Sequence, residues 1–302
     1  SVKRGIDGIG LYRTEYLYMN KKTIPSEEDQ FRSIKKTLKY LKGKPLTIRT
    51  LDVGNDKKVP SIEKYLTKSP NPALGLRAIR LTLAFPKIFK KQISAILKAS
   101  IYGDVRIMLP MVSNVSELIE TKKIIKEVKN QIVTKNKSLK IRMPKIGVLI
   151  ETPAAALISE ALAKNCDFFA IGTNDLTMYT LAIDRGDEEV AKIYDPGHLS
   201  VLKLIQMSTK AAKNNNIPIS ICGEMAGDTL FTSILIGMGI RTLSMSTSRI
   251  LRIKQFLSVM DSDEVKKLSD NILKEDDNVL IKNLLNNYYK EINKRINTKK
   301  NE

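Results

Sequence analysis

Cysteine is scarce in this chain, whose 302 residues include only Cys166 and Cys222. Two distant cysteines are too few for a disulfide framework or a zinc ribbon, and their spacing excludes a redox CxxC pair. Histidine is scarcer still, since His198 is the only one. A Ser-His-Asp triad is therefore not expected, and we interpret His198 as a structural residue near a helix start.

Long apolar runs and targeting patterns are also missing. No run of about eighteen apolar residues is present, and the N-terminus lacks the basic, apolar and small segments of a signal peptide. The sequence has no Walker-type loop and no glycine-rich dinucleotide motif, so we expect no nucleotide cofactor. These features predict a cytoplasmic protein without membrane insertion. Because the chain begins at Ser1 rather than at a methionine, we interpret it as an excised domain.

Acidic residues are few relative to basic ones. The chain has 32 Asp and Glu residues and 51 Lys and Arg residues, which gives a net charge of +19. The lysines are scattered over helical stretches, without interleaved aromatics, Gly-Arg repeats or zinc-finger spacing. We interpret the excess as a solvated, compositionally biased surface and expect no nucleic acid partner. A positive field of this kind would also steer an anionic substrate.

Short apolar runs alternate with longer amphipathic stretches from end to end, as in repeated βα units. The clear strand candidates are 8–11, 46–51, 105–109, 146–150, 168–171, 217–221 and 242–245, and a weaker one is 73–79. Helical patterns cover 27–42, 85–101, 116–135, 154–164 and 198–214. Eight such units predict a (β/α)8 TIM barrel, with a doubly wound open sheet as the structural alternative.

Polar and ionisable residues follow nearly every predicted strand, which favours the barrel. In a barrel the C-terminal ends of all strands converge on one mouth, whereas an open sheet concentrates such residues near one switch point. We therefore assign residues 1–260 to a single α/β barrel. Residues 261–302 form a charged helical tail, with helices at 263–273 and 277–296, that packs on the barrel or frays from it.

Two carboxylates, Glu151 and Asp175, directly follow apolar strands that would be neighbours in a parallel barrel. Each could cap the helix that comes next, because Glu151 precedes Pro153 and an alanine-rich run. As a buried pair they need neutralising, and oxygen ligands of this kind suit Mg²⁺, or Mn²⁺. The pair therefore predicts a divalent metal site.

Arginines occur at strand ends although the chain otherwise prefers lysine. Arg13 and Arg49 end the first two strands, Arg77 lies at the start of a helical run, and Arg185 follows Asp184. Arginine binds phosphate and carboxylate groups with two parallel hydrogen bonds. These arginines predict a small, highly anionic substrate, whereas Arg80 is interpreted as a helix-surface residue.

A single cysteine, Cys222, lies where the apolar run 217–221 breaks into small and acidic residues. A thiol at such a position can be a nucleophile, a metal ligand or a proton donor. The nearby carboxylates of Glu224 and Asp228 disfavour the thiolate, so we favour a proton donor. A packed, inert cysteine remains the alternative, since free cysteine is among the most buried residue types.

Taken together, the motifs resemble the C-terminal domain of the phosphoenolpyruvate-protein phosphotransferases, enzyme I of the bacterial sugar phosphotransferase system. The matching motifs run in order along the chain as far as about residue 257. They are Gly-Ile-Gly-Leu-Tyr-Arg-Thr-Glu at 8–15, Arg-Thr-Leu-Asp-Val-Gly at 49–54, Asn-Pro-Ala-Leu-Gly-Leu-Arg at 71–77, Gly-Thr-Asn-Asp-Leu at 172–176 and Cys-Gly-Glu-Met-Ala-Gly-Asp at 222–228.

The resemblance implies a role for each predicted site residue. Phosphate and carboxylate groups of phosphoenolpyruvate would be bound by Arg13, Arg49, Arg77, Asn174, Arg185 and Lys57. Mg²⁺ would be held by Glu151 and Asp175. Cys222 would protonate the enolate carbon and so yield pyruvate.

The resemblance also implies partners. The phosphoryl group would pass to a histidine on a separate N-terminal domain, which is absent from this chain, and then to the phosphocarrier protein HPr. A homodimer is implied in the same way. Three features depart from the family's pattern: Asn55 replaces a glycine before Lys57, Leu199 replaces a proline after His198, and the Thr-Ser-His phosphocarrier motif is missing.

Two alternatives carry other functions. Pyruvate phosphate dikinase and phosphoenolpyruvate synthase resemble the same family in their fold and in having a cysteine at the site. They usually have Leu-Asp-Pro-Pro, however, where this chain has Leu-Asp-Val-Gly at 51–54. A degenerate barrel kept as a binding or regulatory module is supported only by the high positive charge. The intact site positions argue against it.

Overall fold

A computed structural model describes residues 5–19, 21–54, 59–66, 69–184 and 186–301. Three residues discussed above, Asn55, Lys57 and Arg185, lie outside the described residues. Within them, six strands form one parallel sheet in chain order, each hydrogen-bonded to the next. The strands are β1 (Ile9–Arg13), β2 (Leu46–Arg49), β3 (Val105–Leu109), β4 (Lys145–Ile150), β5 (Phe168–Gly172) and β6 (Ile219–Cys222).

Residues 242–244 extend the sheet beyond β6 and bring it back to β1. Leu243 forms a parallel bridge with Ile221, and the amide of Ser244 donates to the Ile221 carbonyl at 2.8 Å. A β-carbon at Gly10 would lie only 2.7 Å from the Ser244 β-carbon, so β1 is in direct contact with this segment. The sheet is thus a nearly closed barrel, which confirms the predicted α/β barrel and excludes the open sheet.

The weaker strand prediction at 73–79 is wrong. This stretch contains a 3₁₀ helix at Pro72–Leu74 and the start of helix α2 (Ala78–Ala84). Pro72 opens the 3₁₀ turn and Gly75 follows it, and proline and glycine both favour turns over a strand interior. Leu76 then packs in a small separate core with Val53 and Leu81 instead of joining the sheet.

Helices connect the strands and cover the outside of the barrel. Besides α2 they are α1 (Glu27–Leu41), α3 (Pro86–Ala99), α4 (Val115–Lys135), α5 (Pro153–Leu157), α6 (Ser159–Ala163), α7 (Thr173–Leu181), α8 (Glu188–Ala191), α9 (Leu199–Asn214), α10 (Thr229–Gly237), α11 (Ile250–Leu257), α12 (Ser262–Ile272) and α13 (Asn278–Asn301). The predicted helix at 154–164 is interrupted at Ile158, and His198 is the N-cap of α9, where its Nδ1 accepts from the Ser200 amide at 3.3 Å. His198 therefore lies at the start of a helix, as predicted.

Strands β2 to β5 are buried along most of their length, so both of their faces are covered by other parts of the fold. Along β3 and β4, Ile107 and Val148 belong to the large core shared with the helices, whereas Met108 and Leu149 belong to a second cluster that includes Cys222. Because side chains alternate along a strand, this second cluster fills the barrel interior. Side chains on the inner face of a strand point into the barrel, and those at the C-terminal end of the strand lie at the barrel mouth.

The C-terminal helices α12 and α13 pack against α10 and α11. Their contact is apolar, with Phe256, Val265, Tyr288 and Ile292 forming a buried cluster. Glu264 on α12 accepts two hydrogen bonds from Arg295 on α13, at 2.8 and 3.0 Å. Over the ranges that the structure describes, every helix is too short or too polar to cross a membrane.

Candidate active site

The strand register places three of the predicted site residues, Arg13, Arg49 and Cys222, at the C-terminal ends of their strands. Arg13 on β1 is in register with Arg49 on β2, and Arg49 with the interior residue Met108 on β3. On the other side, Gly172 on β5 is in register with Cys222 on β6. Residues in register on neighbouring parallel strands point to the same face, so these side chains converge on the C-terminal mouth.

Arg49 lies deep in this mouth and is compensated by two carboxylates. Its Nη1 contacts Asp52 Oδ2 at 2.9 Å, and its Nη2 is hydrogen-bonded to Glu15. Burial alone would lower the pKa of Arg49, but the charges of Asp52 and Glu15 outweigh it and raise the pKa further above its usual value. The buried Nε of Arg49 has no hydrogen-bond partner among the described residues. Such a donor suits an anionic ligand.

Arg77 lies beside Arg49 and shares a carboxylate with it. Asp52 Oδ1 accepts from Arg77 Nη2 at 2.8 Å and from its Nε at 3.2 Å, so one aspartate joins both arginines. Arg77 is only 3% exposed, and its Nη2 lies 3.8 Å from Asp175 Oδ2. The structure therefore brings Arg49 and Arg77 together and connects Arg77 to the predicted metal ligand.

Glu151 is buried at the end of β4, where its Oε1 accepts the Met111 amide at 2.7 Å. Thr152, and not Glu151, is the N-cap of α5, so the capping role considered for Glu151 is not observed. Burial raises the pKa of Glu151 well above its usual value, and the carboxylates of Asp175 and Asp52 add to the shift, while Arg49 opposes it. The negative charge of Asp175 therefore acts on Glu151, and a cation bound by both carboxylates would offset this repulsion.

Asp175 lies in the first turn of α7 and is half-buried. Within the described parts of the chain, no group of three or more Asp, Glu, His or Cys side chains is arranged for a metal ion. Two carboxylates nevertheless fit Mg²⁺, which usually keeps several waters and takes further oxygen ligands from a substrate phosphate. The donor set is hard oxygen throughout, as Mg²⁺ prefers.

Cys222 ends β6 and is 3% exposed. Its thiol donates to the Ile171 carbonyl at 3.2 Å. Burial raises the pKa of Cys222 to about 12, and the Glu151 carboxylate adds to the shift, while Arg49 and Arg13 oppose it. The thiol therefore keeps its proton at neutral pH, which suits a proton donor better than a nucleophile or a thiolate ligand.

The turn after Cys222 is fixed against α7. Gly223 has a φ of +91°, a conformation that L-residues rarely adopt, and a β-carbon there would collide with the Thr173 hydroxyl. Asn174 Oδ1 accepts the Glu224 amide at 2.9 Å, and Asn174 Nδ2 donates to Glu224 Oε1 at 3.4 Å. In this structure the predicted substrate residue Asn174 thus holds the loop that presents the thiol.

Sequence reasoning assigned no role to three residues that organise the site: Glu15, Asp52 and Tyr179. Asp52 follows Arg49 by three residues, and this short spacing lets its carboxylate reach the Arg49 guanidinium. Tyr179 follows Asp175 by four residues on α7, which places both on one side of the helix. Its hydroxyl accepts from Arg77 Nη1 at 3.4 Å.

The chain is similar in sequence to known proteins along most of its length. Residues 1–262 match the family described as PEP-utilising enzyme, PEP-binding domain. The chain belongs to this family of enzymes. It is 41% identical over 90% of its length to the phosphoenolpyruvate-protein phosphotransferase of Priestia megaterium, and 40% identical over 89% to that of Staphylococcus epidermidis. It covers 47% and 46% of those two proteins, so it spans about half the length of these relatives.

Among solved structures, a malate synthase of Haloferax volcanii has a TM-score of 0.49 at 11% identity, over 76% of this chain and 55% of the synthase. A likeness this low adds nothing to the assignment. The family membership of this PEP-utilising enzyme domain rests on the match over residues 1–262 and on the relatives at about 40% identity. It confirms the resemblance predicted from the motifs.

Proposed function

We propose that this domain binds phosphoenolpyruvate and catalyses its dephosphorylation as part of a phosphoenolpyruvate-protein phosphotransferase. The observation that carries the proposal is the arrangement of Arg49 and Arg77 on one buried aspartate, beside the carboxyl groups of Glu151 and Asp175 and a protonated thiol. The names of the relatives at 40–41% identity favour this function over that of a dikinase.

The charges of the site explain why substrate and cation would bind together. Among the described residues, arginines and carboxyl groups face the mouth in nearly equal numbers. They are Arg13, Arg49, Arg77, Glu15, Asp52, Glu151 and Asp175. Phosphoenolpyruvate is strongly anionic, so the carboxylates repel it unless a divalent cation lies between them. We therefore assign Mg²⁺ to Glu151 and Asp175, where it would neutralise charge on the phosphoryl oxygens.

The arginines would act by binding and orientation. Arg49 and Arg77 are held with little freedom by Asp52, so little side-chain entropy is lost when a phosphate binds. The receiving histidine would lie on a separate domain, as the resemblance implies, and HPr would follow it. The homodimer and the cytoplasmic location rest on the resemblance alone and stay predictions.

Cys222 would complete the reaction on carbon. Once the phosphoryl group has left, the enolate of pyruvate carries a nucleophilic carbon, C3. The Sγ–H bond of Cys222 would break and a C3–H bond would form, leaving a thiolate that takes its proton back from solvent. Because the pKa of Cys222 is raised to about 12, this thiolate is a strong base and is short-lived.

Titration calorimetry tests the proposal with the domain as it stands. We expect phosphoenolpyruvate to bind in Mg²⁺ and at least about tenfold more weakly in excess chelator. Asp175→Asn should remove this metal dependence, whereas Asp270→Asn, a matched change at an exposed residue paired with Lys266, should keep it. Equal affinity with and without chelator would exclude the metal role of Glu151 and Asp175. If phosphoenolpyruvate does not bind under any of these conditions, the proposed function is wrong.

A further inference from the structure

We propose that Tyr179 is a positioning residue, whose hydroxyl ties Arg77 and the turn before it to α7, the helix that carries Asp175. The inference rests on the proposed function, because it names what aligns the phosphate-binding arginine with the metal side of the same site. It gives Tyr179 a role in ligand binding without any contact to the reacting atoms.

The hydroxyl of Tyr179 makes two hydrogen bonds to distant parts of the chain. It donates to the Ala73 carbonyl at 2.6 Å and accepts from Arg77 Nη1 at 3.4 Å. Ala73 lies in the 3₁₀ turn Pro72–Leu74, a few residues before Arg77. One phenol therefore fixes both the guanidinium and the backbone turn that leads to it.

The backbone at Arg77 has a particular need for such support. Arg77 is extended, with φ −145° and ψ 167°, and the next residue, Ala78, has a φ of +52°. A left-handed conformation is strained for a residue with a β-carbon and persists only where the surroundings impose it. Ala78 is completely buried. The bond from Tyr179 to Ala73 anchors the chain on the other side of Arg77.

Together, Asp52 and Tyr179 define the plane of the Arg77 guanidinium. Asp52 accepts from Nε and Nη2, and Tyr179 accepts from Nη1, so contacts are made to all three nitrogens of the group. A planar group held at three points cannot rotate about its own axis. This orientation sets how its N–H bonds meet a phosphate.

Tyr179 also links Arg77 to α7, the helix that carries Asp175. It follows Asp175 by four residues, so the two side chains lie on one side of the helix, and Arg77 Nη2 is 3.8 Å from Asp175 Oδ2. Burial raises the pKa of Tyr179 to about 12, with Arg77 opposing the shift, so the phenol stays protonated and able to donate to Ala73. Arginine and metal ligand are therefore held as one unit.

Tyr179→Phe removes the hydroxyl and keeps the ring. In saturating Mg²⁺ we expect the dissociation constant of phosphoenolpyruvate to rise about tenfold, with a melting temperature close to that of the wild type. Tyr12→Phe is the matched control: its hydroxyl bonds Ser33 Oγ at 2.9 Å, between β1 and α1, and its loss should leave the affinity unchanged.

A double-mutant cycle then distinguishes a role of Tyr179 in orienting Arg77 from a loss of phosphoenolpyruvate affinity that does not depend on Arg77. If Tyr179 acts through Arg77, Arg77→Lys and the double variant Arg77→Lys/Tyr179→Phe should bind phosphoenolpyruvate equally weakly, because the hydroxyl has no guanidinium left to orient. Titration followed by NMR measures the millimolar dissociation constants that these variants require.

Three outcomes overturn the inference. One is wild-type affinity in Tyr179→Phe, another is an affinity loss equal to that of Tyr12→Phe, and the third is full additivity with Arg77→Lys. Each of these leaves the proposed function intact, since wild-type protein still binds phosphoenolpyruvate with Mg²⁺. Absence of wild-type binding instead contradicts the proposed function itself and, with it, this role of Tyr179.

Discussion

Asp52 shows how much of the site depends on single residues. Its Oδ2 binds Arg49 and its Oδ1 binds Arg77, while the whole residue is 1% exposed. Removing it would take an ion-pair partner away from two buried guanidinium groups, and breaking a buried ion pair costs about 3–5 kcal/mol. The same aspartate therefore stabilises the fold and sets the distance between the two groups that would bind substrate.

At this scale, Cys222 allows a direct test of the proton-donor role. Cys222→Ala should leave phosphoenolpyruvate affinity within about twofold of wild type, because no binding charge is lost, and should abolish exchange of the C3 protons of pyruvate with solvent. Exchange is measured by NMR in D₂O. Cys166→Ala is the control, since Cys166 is also buried but bonds the Phe168 carbonyl at the opposite end of the barrel. Normal exchange in Cys222→Ala would rule out the thiol as the acid.

Glu151 gives a prediction about pH. Its pKa in the folded state is raised by burial and by Asp175, so the folded protein keeps a proton that the unfolded chain releases near pH 4.3. Stability is therefore lost as pH rises from about 4.3 through the raised pKa. Without metal, Glu151→Gln should thus become increasingly stable relative to wild type as pH rises, as urea denaturation at several pH values will measure.

The control for this pH series is Glu120→Gln, on the exposed side of α4. Its stability difference from wild type should stay flat, because Glu120 is exposed on the surface of α4 and not buried beside other carboxylates. A flat difference for Glu151→Gln as well would contradict the raised pKa of Glu151.

At the scale of elements, helix α4 illustrates how a helix start serves the site. Asn114 is its N-cap, and the Glu117 side chain accepts the amides of Asn114 and Ser113, at 2.9 and 2.7 Å. These bonds fix the short loop between β3 and α4. The same loop contains Met111, whose amide donates to Glu151. A local capping motif thus supports a bond within the predicted metal site.

Asn114→Ala should lower the free energy of unfolding by about 1 kcal/mol, because the helix loses its N-cap acceptor. Chemical denaturation measures it. Asn130→Ala makes the same substitution at an exposed position inside α4 and should be neutral or slightly stabilising, since alanine is the better helix former. Equal effects at the two positions would show that the cap contributes nothing.

At the scale of the whole molecule, barrel closure brings the distant ends of the fold together. Gly10 on β1 and Ser244 after β6 touch because glycine leaves no β-carbon between them. The C-terminal helices then pack over α10 and α11 through an apolar cluster. Closure is what turns separate strand ends into one mouth.

Gly10→Ala tests this closure. The added methyl group would lie 2.7 Å from the Ser244 β-carbon, and overpacking of this kind costs about 1–3 kcal/mol. Gly75→Ala is the control, because its β-carbon would meet nothing closer than 3.5 Å at an ordinary φ of −81°. Thermal unfolding of both variants should show a clear loss for Gly10→Ala alone. An unchanged melting temperature for Gly10→Ala would mean that β1 and the closing segment are not packed tightly.

Much of the fold could be predicted from the sequence because strand burial and helix amphipathicity leave periodic patterns. Six strands and the closing segment at 242–244 were predicted near their observed positions. The stretch 73–79 was not, because its apolar residues belong to a turn that packs in its own small core. A short apolar run does not by itself show whether it will form a strand of the sheet or pack in a separate core.

For the site, the sequence by itself determined that arginines, two carboxylates and one cysteine lie at or just after the ends of several strands. That information is local, since a strand end is visible in the pattern around it. Only the tertiary structure decided that Asp52 joins two arginines and that Tyr179 is hydrogen-bonded to Ala73, 106 residues away in the sequence. Such partners lie far apart in sequence, and their pairing depends on barrel closure and strand register. The pKa shifts of Glu151 and Cys222 likewise arise from burial and from neighbouring charges that come together only in the folded chain.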